Sequence, residues 1–212
     1  MDNVFLLNTG RGSFYDSGTT ILEGGEDMTN SANVIVNRLP ADLGEMLKLP
    51  EAAMCAPELT AFLTVAALCA FAEDRSNGLE MLNYLRGSRP LGVYERQFLA
   101  DRFKGQSYIP YSYFAGACPE NGYTPEKPYR LALFENSYSR DNLNDGFITL
   151  YLKSGGAEGE RPMTFRLKPS TGQWFLWEQS LMVGIHAPYI RDPWRTDLRR
   201  IRRLGRMDLR RT

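Results

Sequence analysis

The 212-residue chain is 43% hydrophobic and 24% charged, the balance of a soluble globule large enough for one sizeable core. Its 25 basic and 25 acidic residues cancel, but unevenly: residues 195–212 hold eight Arg against two Asp, a net +6, which leaves residues 1–194 at −6. An acidic body argues against a general nucleic-acid-binding fold, while the tail has the charge to contact something anionic.

Residues 1–32 are rich in Gly, Ser, Thr and Asp, with apolar patches at Val4–Leu7 and Thr20–Leu22, and read as an extension or a small hairpin. Gly10-Arg11-Gly12-Ser13 lacks the Gly-Lys-Ser/Thr ending of a phosphate loop and reads as a plain turn. Val34-Ile35-Val36 predicts a short strand, and residues 41–47 a short helix closed by Pro50. Pro57-Glu58 opens a strong helix, with Pro suited to the first turn and Glu to the positive end of the dipole. Leu59, Phe62, Leu63, Val65, Leu68 and Phe71 encircle it, so it is expected to be buried nearly all round. Ser76 is placed as N-cap of a second helix that ends at Gly87. A third, residues 93–105, turns Phe98, Leu99 and Phe103 inward and its charges toward solvent.

Residues 107–130 hold Pro110, Pro119, Pro125 and Pro128 among Tyr108, Tyr111, Tyr113, Phe114, Tyr123 and Tyr129. Such a stretch reads as an ordered loop pinned to the body by its rings. An antiparallel meander follows. Met163, Phe165 and Leu167 alternate with Thr164, Arg166 and Lys168, and Ile148, Leu150 and Leu152 share one face, the period of half-buried strands. Residues 169–172 make a tight hairpin. Trp174–Trp177 is apolar on both faces, which predicts a place near the middle of the sheet. Residues 179–194 read as a short helix and an arm, and the tail beyond as a weak amphipathic helix. The fold class is therefore α+β: an N-terminal helical half packed on a C-terminal antiparallel meander of about four strands, with an NTF2-like cone or an SH3-like barrel as alternatives. The expected divisions are 1–32, a single domain over 33–194, and the Arg-rich tail 195–212.

The strings VNRLPADLGE, LTVAALCAF, LEMLNYLRGSRPL, YERQFLADRF, SYFAGACPENGYTPEKPY, LKSGGAEGERPMTFRLK, GQWFLWE and RDPW carry a family resemblance. From about residue 33 to 194 the chain resembles an uncharacterised bacterial domain family found in many anaerobic gut bacteria. The resemblance implies a domain boundary near each end of that range and no particular activity. Family members tend to carry Thr where this chain has Cys118, which counts against Cys118 as a nucleophile, and the Arg-rich tail is an addition.

Few residues bear chemistry. The only histidine is His186, so the one triad the sequence offers is Cys118, His186 and an acid such as Glu120, a chance pairing more than a pattern. Cys55, Cys69 and Cys118 are odd in number and lack zinc-ligand spacing, and Glu158/Glu160 lie in a Gly-rich loop ill-suited to fixed acid–base geometry. No metal, cofactor or catalytic residue is therefore predicted. The start lacks a basic segment followed by an apolar one, and the longest apolar stretch is shorter than the roughly 20 residues a bilayer requires. A cytoplasmic protein with no membrane contact is expected. The leading expectation is a non-catalytic module that binds a protein partner through Tyr111, Tyr113, Phe114, Glu120, Asn121 and Tyr123. Nucleic acid is not expected except at the tail, where Arg199, Arg200, Arg202 and Arg203 form the anionic-partner contact. The alternative is a small-molecule pocket or weak enzyme between helices and sheet, rimmed by Glu120, Asn121 and Tyr123. An interface requires exposed, contiguous tyrosines; a pocket requires a cavity of roughly 300 Å3 or more with converging polar groups.

Overall fold

In the computed structural model, which describes residues 28–189, the alternating segments become strands of one antiparallel sheet. β1 (Thr29–Val36) lies beside β2 (Tyr129–Glu135), and β3 (Phe147–Leu152), β4 (Arg161–Lys168) and β5 (Gln173–Gln179) follow in sequence order. The chain is α+β as expected, with the four-strand meander intact and β1 as a fifth strand. β1 begins at Thr29 and not at Val34, and its polar start pairs with the end of β2, Thr29 opposite Glu135. The outermost strands β1 and β5 do not pair with each other, so the sheet is open rather than closed into a barrel.

Side-chain alternation sets the two faces. Leu131, Leu133, Ile148, Leu150, Leu152, Met163, Phe165 and Leu176 point into the core and are buried. Arg130, Ala132, Phe134, Phe147, Thr149, Tyr151, Thr164 and Arg166 occupy the opposite face. The inner face is covered by helix. α1 (Leu43–Met46) is capped by Asp42, whose carboxylate accepts the Glu45 amide at 2.7 Å. α2 (Pro57–Glu73) is buried all round, with Phe62, Leu63, Val65 and Leu68 fully enclosed, and it touches β1, β3 and β5. Each such side chain contributes about 1.5–3 kcal/mol. Its two hydroxyls are satisfied: Thr64 donates to the Thr60 carbonyl at 2.8 Å, and Thr60 donates across to the Trp174 carbonyl at 2.7 Å.

Several local expectations are corrected. α3 (Arg75–Arg86) is capped by Asp74, whose carboxylate accepts the amides of Ser76 and Asn77 at 2.8 and 3.1 Å; Ser76 is already inside the first turn. In α4 (Val93–Arg102), Glu95 is more than solvated surface. It accepts the Gly92 amide at 2.8 Å and pairs with the buried Arg86 at 2.9 Å, tying α4 to α3. β5 is an edge strand, not a central one. Its edge is shielded, since the Trp174 amide donates to the Met54 carbonyl at 2.8 Å, which blunts an otherwise open ladder. Residues 181–189 form an arm without a helix.

Candidate functional site

The aromatic stretch predicted as a contact surface is a clasp. Pro110–Tyr113 and Pro119–Asn121 are single 3-10 turns, each started by a proline whose missing amide costs nothing there. Tyr113 is 4% exposed and its hydroxyl donates to the Leu181 carbonyl at 2.6 Å. Tyr123 is 2% exposed, takes left-handed backbone (φ 59), stacks on Tyr108 at 5.1 Å and donates to the His186 carbonyl at 2.7 Å. Burial pushes the Tyr123 hydroxyl up to about 12, helped by Tyr108, and burial raises Tyr113 as well. Phe114 is buried edge-on to Tyr129 at 5.3 Å. The exposed, contiguous tyrosines required of an interface are therefore not what this loop presents: the rings face inward because their hydroxyls find carbonyls on the 181–189 arm.

Asn121 is the hub of the loop's own backbone. Its amide donates to the Gly116 and Thr124 carbonyls at 2.7 and 3.1 Å, and its oxygen accepts the amides of Cys118 and Thr124. Glu120 is exposed on the outside of this turn. The third partner in the clasp is Ser154-Gly155-Gly156. Gly155 donates to the Ser112 carbonyl at 2.9 Å, the Ser154 and Ser112 hydroxyls meet at 2.7 Å, and the Gly156 carbonyl accepts the His186 amide at 2.8 Å. The fold uses the backbone of His186; among the described residues its imidazole makes no hydrogen bond to Cys118 or Glu120. Nor do three His, Cys, Asp or Glu side chains gather at any described place. Arg199, Arg200, Arg202 and Arg203, like the 1–27 segment, lie outside the described residues.

Tyr111 alone of the three candidate tyrosines reaches the surface. Its hydroxyl donates to Glu73 at 3.2 Å beside a cleft of about 440 Å3 lined by Asn77, Lys127 and Arg38, with the buried Cys69 at its base. Burial, then the nearby Cys69 and Glu73, raise the Tyr111 hydroxyl, and burial holds the Cys69 thiol well above its ordinary value. Between helices and sheet, core side chains fill the space; Glu120 and Asn121 are exposed on the clasp, and Tyr123 is buried within it. Open space lies on the other side of the sheet. A groove of about 550 Å3 runs between the Ser112–Ala117 loop and β2, floored by Ala132, walled by Phe134 and flanked by Arg130, Lys153 and Ser154. Tyr113 and Phe114 line it, so two predicted site residues do border a cavity, from its buried side. Sequence reading missed Arg130, Ala132, Phe134 and Lys153; the signal was the outward set of β2 alternation, which carries Arg, Ala and Phe where a solvated face ordinarily carries charge alone.

Residues 38–189 match the model of a family described as a domain of unknown function (DUF6935). The chain belongs to this family. The matched range contains α1 through β5 and the whole clasp, so the DUF6935 domain includes the groove-lining loop, β2 and the Ser154-Gly155-Gly156 turn, while β1 precedes it. No curated protein and no solved structure matches the chain. No described helix of the domain is long and apolar enough to cross a membrane.

Proposed function

We propose that this DUF6935 domain binds a small anionic molecule in the outer groove beside the Ser112–Ala117 loop, without itself performing chemistry. The observation that supports this reading is the groove: about 550 Å3, within the range of small-molecule sites, with an apolar wall and polar groups converging on it. Its two cations have weakly held partners. Arg130 pairs with Glu126 at 3.1 Å and Lys153 with Glu160 at 3.5 Å, all at least partly exposed. Surface pairs of this kind contribute about 0–1 kcal/mol, so an anionic ligand competes for both cations at little cost. The clasp supplies rigidity, since it fixes the Ser112–Ala117 wall against the sheet. The bacterial cytoplasm expected from the sequence remains the proposed setting.

The test is a thermal-shift screen of small carboxylates and phosphate esters against the full chain and an Ala132→Leu variant. Ala132 faces the groove, so leucine fills it without entering the core. The expected result is a compound that raises the melting temperature of the unmodified chain and leaves the variant unmoved. Compounds that shift both equally, or none that shifts either, would overturn the reading.

A protein partner, the other reading of the sequence, is supported by a different surface from the one expected. On α4, Phe98, expected to turn inward, is instead 42% exposed, beside Val93 at 69% and Tyr94 at 92%, a cluster of apolar surface of the kind that marks contact sites. A partner co-purified by the intact chain and lost from Tyr94→Ser/Phe98→Ser, but kept by Ala132→Leu, would favour that reading over the groove.

A further inference from the structure

The cleft beside Tyr111 has the parts of a ligand site, and it does not depend on the groove proposed above. Three pieces of chain meet there: residues 37–41 after β1, the junction of α2 with α3, and Lys127 and Tyr129 at the entry to β2. Much of its lining is apolar, with Leu39, Pro40, Ala70 and Tyr129 around it and the buried Cys69 at its base. Burial holds the Cys69 thiol well above its ordinary value, so it stays protonated at neutral pH and the base carries no charge. At about 440 Å3 the cleft has room for one small molecule.

Both signs of charge line this space. Glu73 and Asp74 supply carboxylates from the end of α2, and Lys127 supplies an ammonium from the chain before β2. Each has capacity to spare. Glu73 accepts the Tyr111 hydroxyl on one oxygen and makes no ion pair among the described residues. One oxygen of Asp74 takes both capped amides of α3, those of Ser76 and Asn77, and its other oxygen accepts no hydrogen bond among the described residues. Arg38 is already held by Glu45 at 2.6 Å. Lys127 has no such carboxylate among the described residues; its Nζ lies 5.8 Å from the Tyr129 ring centre.

A ligand of one sign is poorly matched to such a lining. A simple anion drawn to Lys127 meets the Glu73 and Asp74 carboxylates, and a simple cation drawn to the carboxylates meets Lys127. A molecule with an ammonium and a carboxylate of its own places each against its opposite. The apolar lining then takes the rest of the molecule out of water. We infer that this cleft binds a free amino acid with an apolar or aromatic side chain, its ammonium on Glu73 and Asp74, its carboxylate on Lys127 and its side chain against Leu39, Ala70 and Tyr129. The Asn77 amide, which lines the same cleft, can donate to the carboxylate or accept from the ammonium.

The experiment is isothermal titration of the full chain with L-phenylalanine and L-leucine. Phenethylamine and 3-methylbutylamine, which lack the carboxylate, form one set of control arms; 3-phenylpropionate and 4-methylpentanoate, which lack the ammonium, form the other. Every arm is repeated with Ala132→Leu, which fills the groove, so that a carboxylate held there is told apart from one held here. At least one amino acid is expected to bind saturably at one site in both chains, roughly tenfold or more tighter than its own amine and acid analogues. Glu73→Gln and Lys127→Gln are each expected to weaken it by roughly tenfold or more, the scale of a lost charge-assisted hydrogen bond. Both positions are exposed, and the amide that replaces the Glu73 carboxylate still accepts the Tyr111 hydroxyl. In Lys127→Gln the amino acid is also expected to lose its advantage over the amine, which a merely damaged fold would not produce. The inference is overturned if, with the groove filled, neither amino acid binds, if an analogue binds as tightly as its parent, or if binding survives both single substitutions.

Discussion

A methyl group on Gly155 would collide with the carbonyl of Ala117, and one on Gly156 with the Tyr123 hydroxyl. The glycine pair that reads in sequence as a loose turn is therefore a contact surface, required because two loops approach backbone to backbone. Gly155→Ala is expected to lower stability by about 1–3 kcal/mol, the range for overpacking a closed site. Gly159→Ala, in the same connection but with its nearest neighbour at 3.9 Å, is expected to stay within about 0.5 kcal/mol. Chemical denaturation of the two variants checks both, and equal losses would mean the clasp is not tight. Composition marked the Ser112–Tyr123 region as special, but it could not say whether the rings point in or out. That is decided by where a tyrosine hydroxyl finds its acceptor, and for Tyr113 and Tyr123 the acceptors lie 68 and 63 residues away along the chain.

At the scale of elements, Gly78 explains how α2 and α3 come together. It sits in the first turn of α3, and a Cβ there would strike the backbone of Phe71. Helix propensity alone favours alanine by about 1 kcal/mol at such a position, so propensity and packing disagree in sign. Gly78→Ala is expected to be destabilising by roughly 1–3 kcal/mol, because the opposing atoms are main chain and cannot swing aside. A stabilised variant would show that α3 is free to move off α2. The alternation in β3 and β4 and the apolar circumference of α2 were legible because each depends on its own residues. Two elements were not. The start of β1 reads Thr-Asn-Ser-Ala, polar, and becomes strand by pairing with β2. β5 reads as a central strand, yet is an edge, because Thr60 and Met54 cover one side and Arg89 and Arg166 lie on Trp177 at the other. Cation–aromatic cover imitates a neighbouring strand in the hydrophobic pattern.

For the whole molecule, the buried hydroxyls predict how stability responds to alkali. Tyr123 is pushed up to about 12 and Tyr111 and Tyr113 are raised, all first by burial, and the Cys69 thiol is raised in the same way. In the unfolded chain these groups lose their protons near ordinary values, about 10 for tyrosine and about 8.5 for cysteine. Above those values the folded state holds more protons than the unfolded one, so stability falls as pH rises. The contribution is complete below the unfolded values and is lost progressively on the way up to the folded ones. Guanidinium midpoints are therefore expected to be level through neutral pH and to drop above about pH 9, steepening beyond about 10. Each retained proton adds up to about 1.4 kcal/mol per pH unit to the slope. Tyr123→Phe separates this effect from the hydrogen bond it also removes. Loss of the bond to His186 lowers stability at every pH by about 1 kcal/mol, whereas loss of the titrating group flattens the alkaline limb between about pH 10 and 12 by close to one proton. A parallel offset with an unchanged slope would show that the Tyr123 hydroxyl reaches water in the folded chain, and that the arm at 181–189 does not seal it.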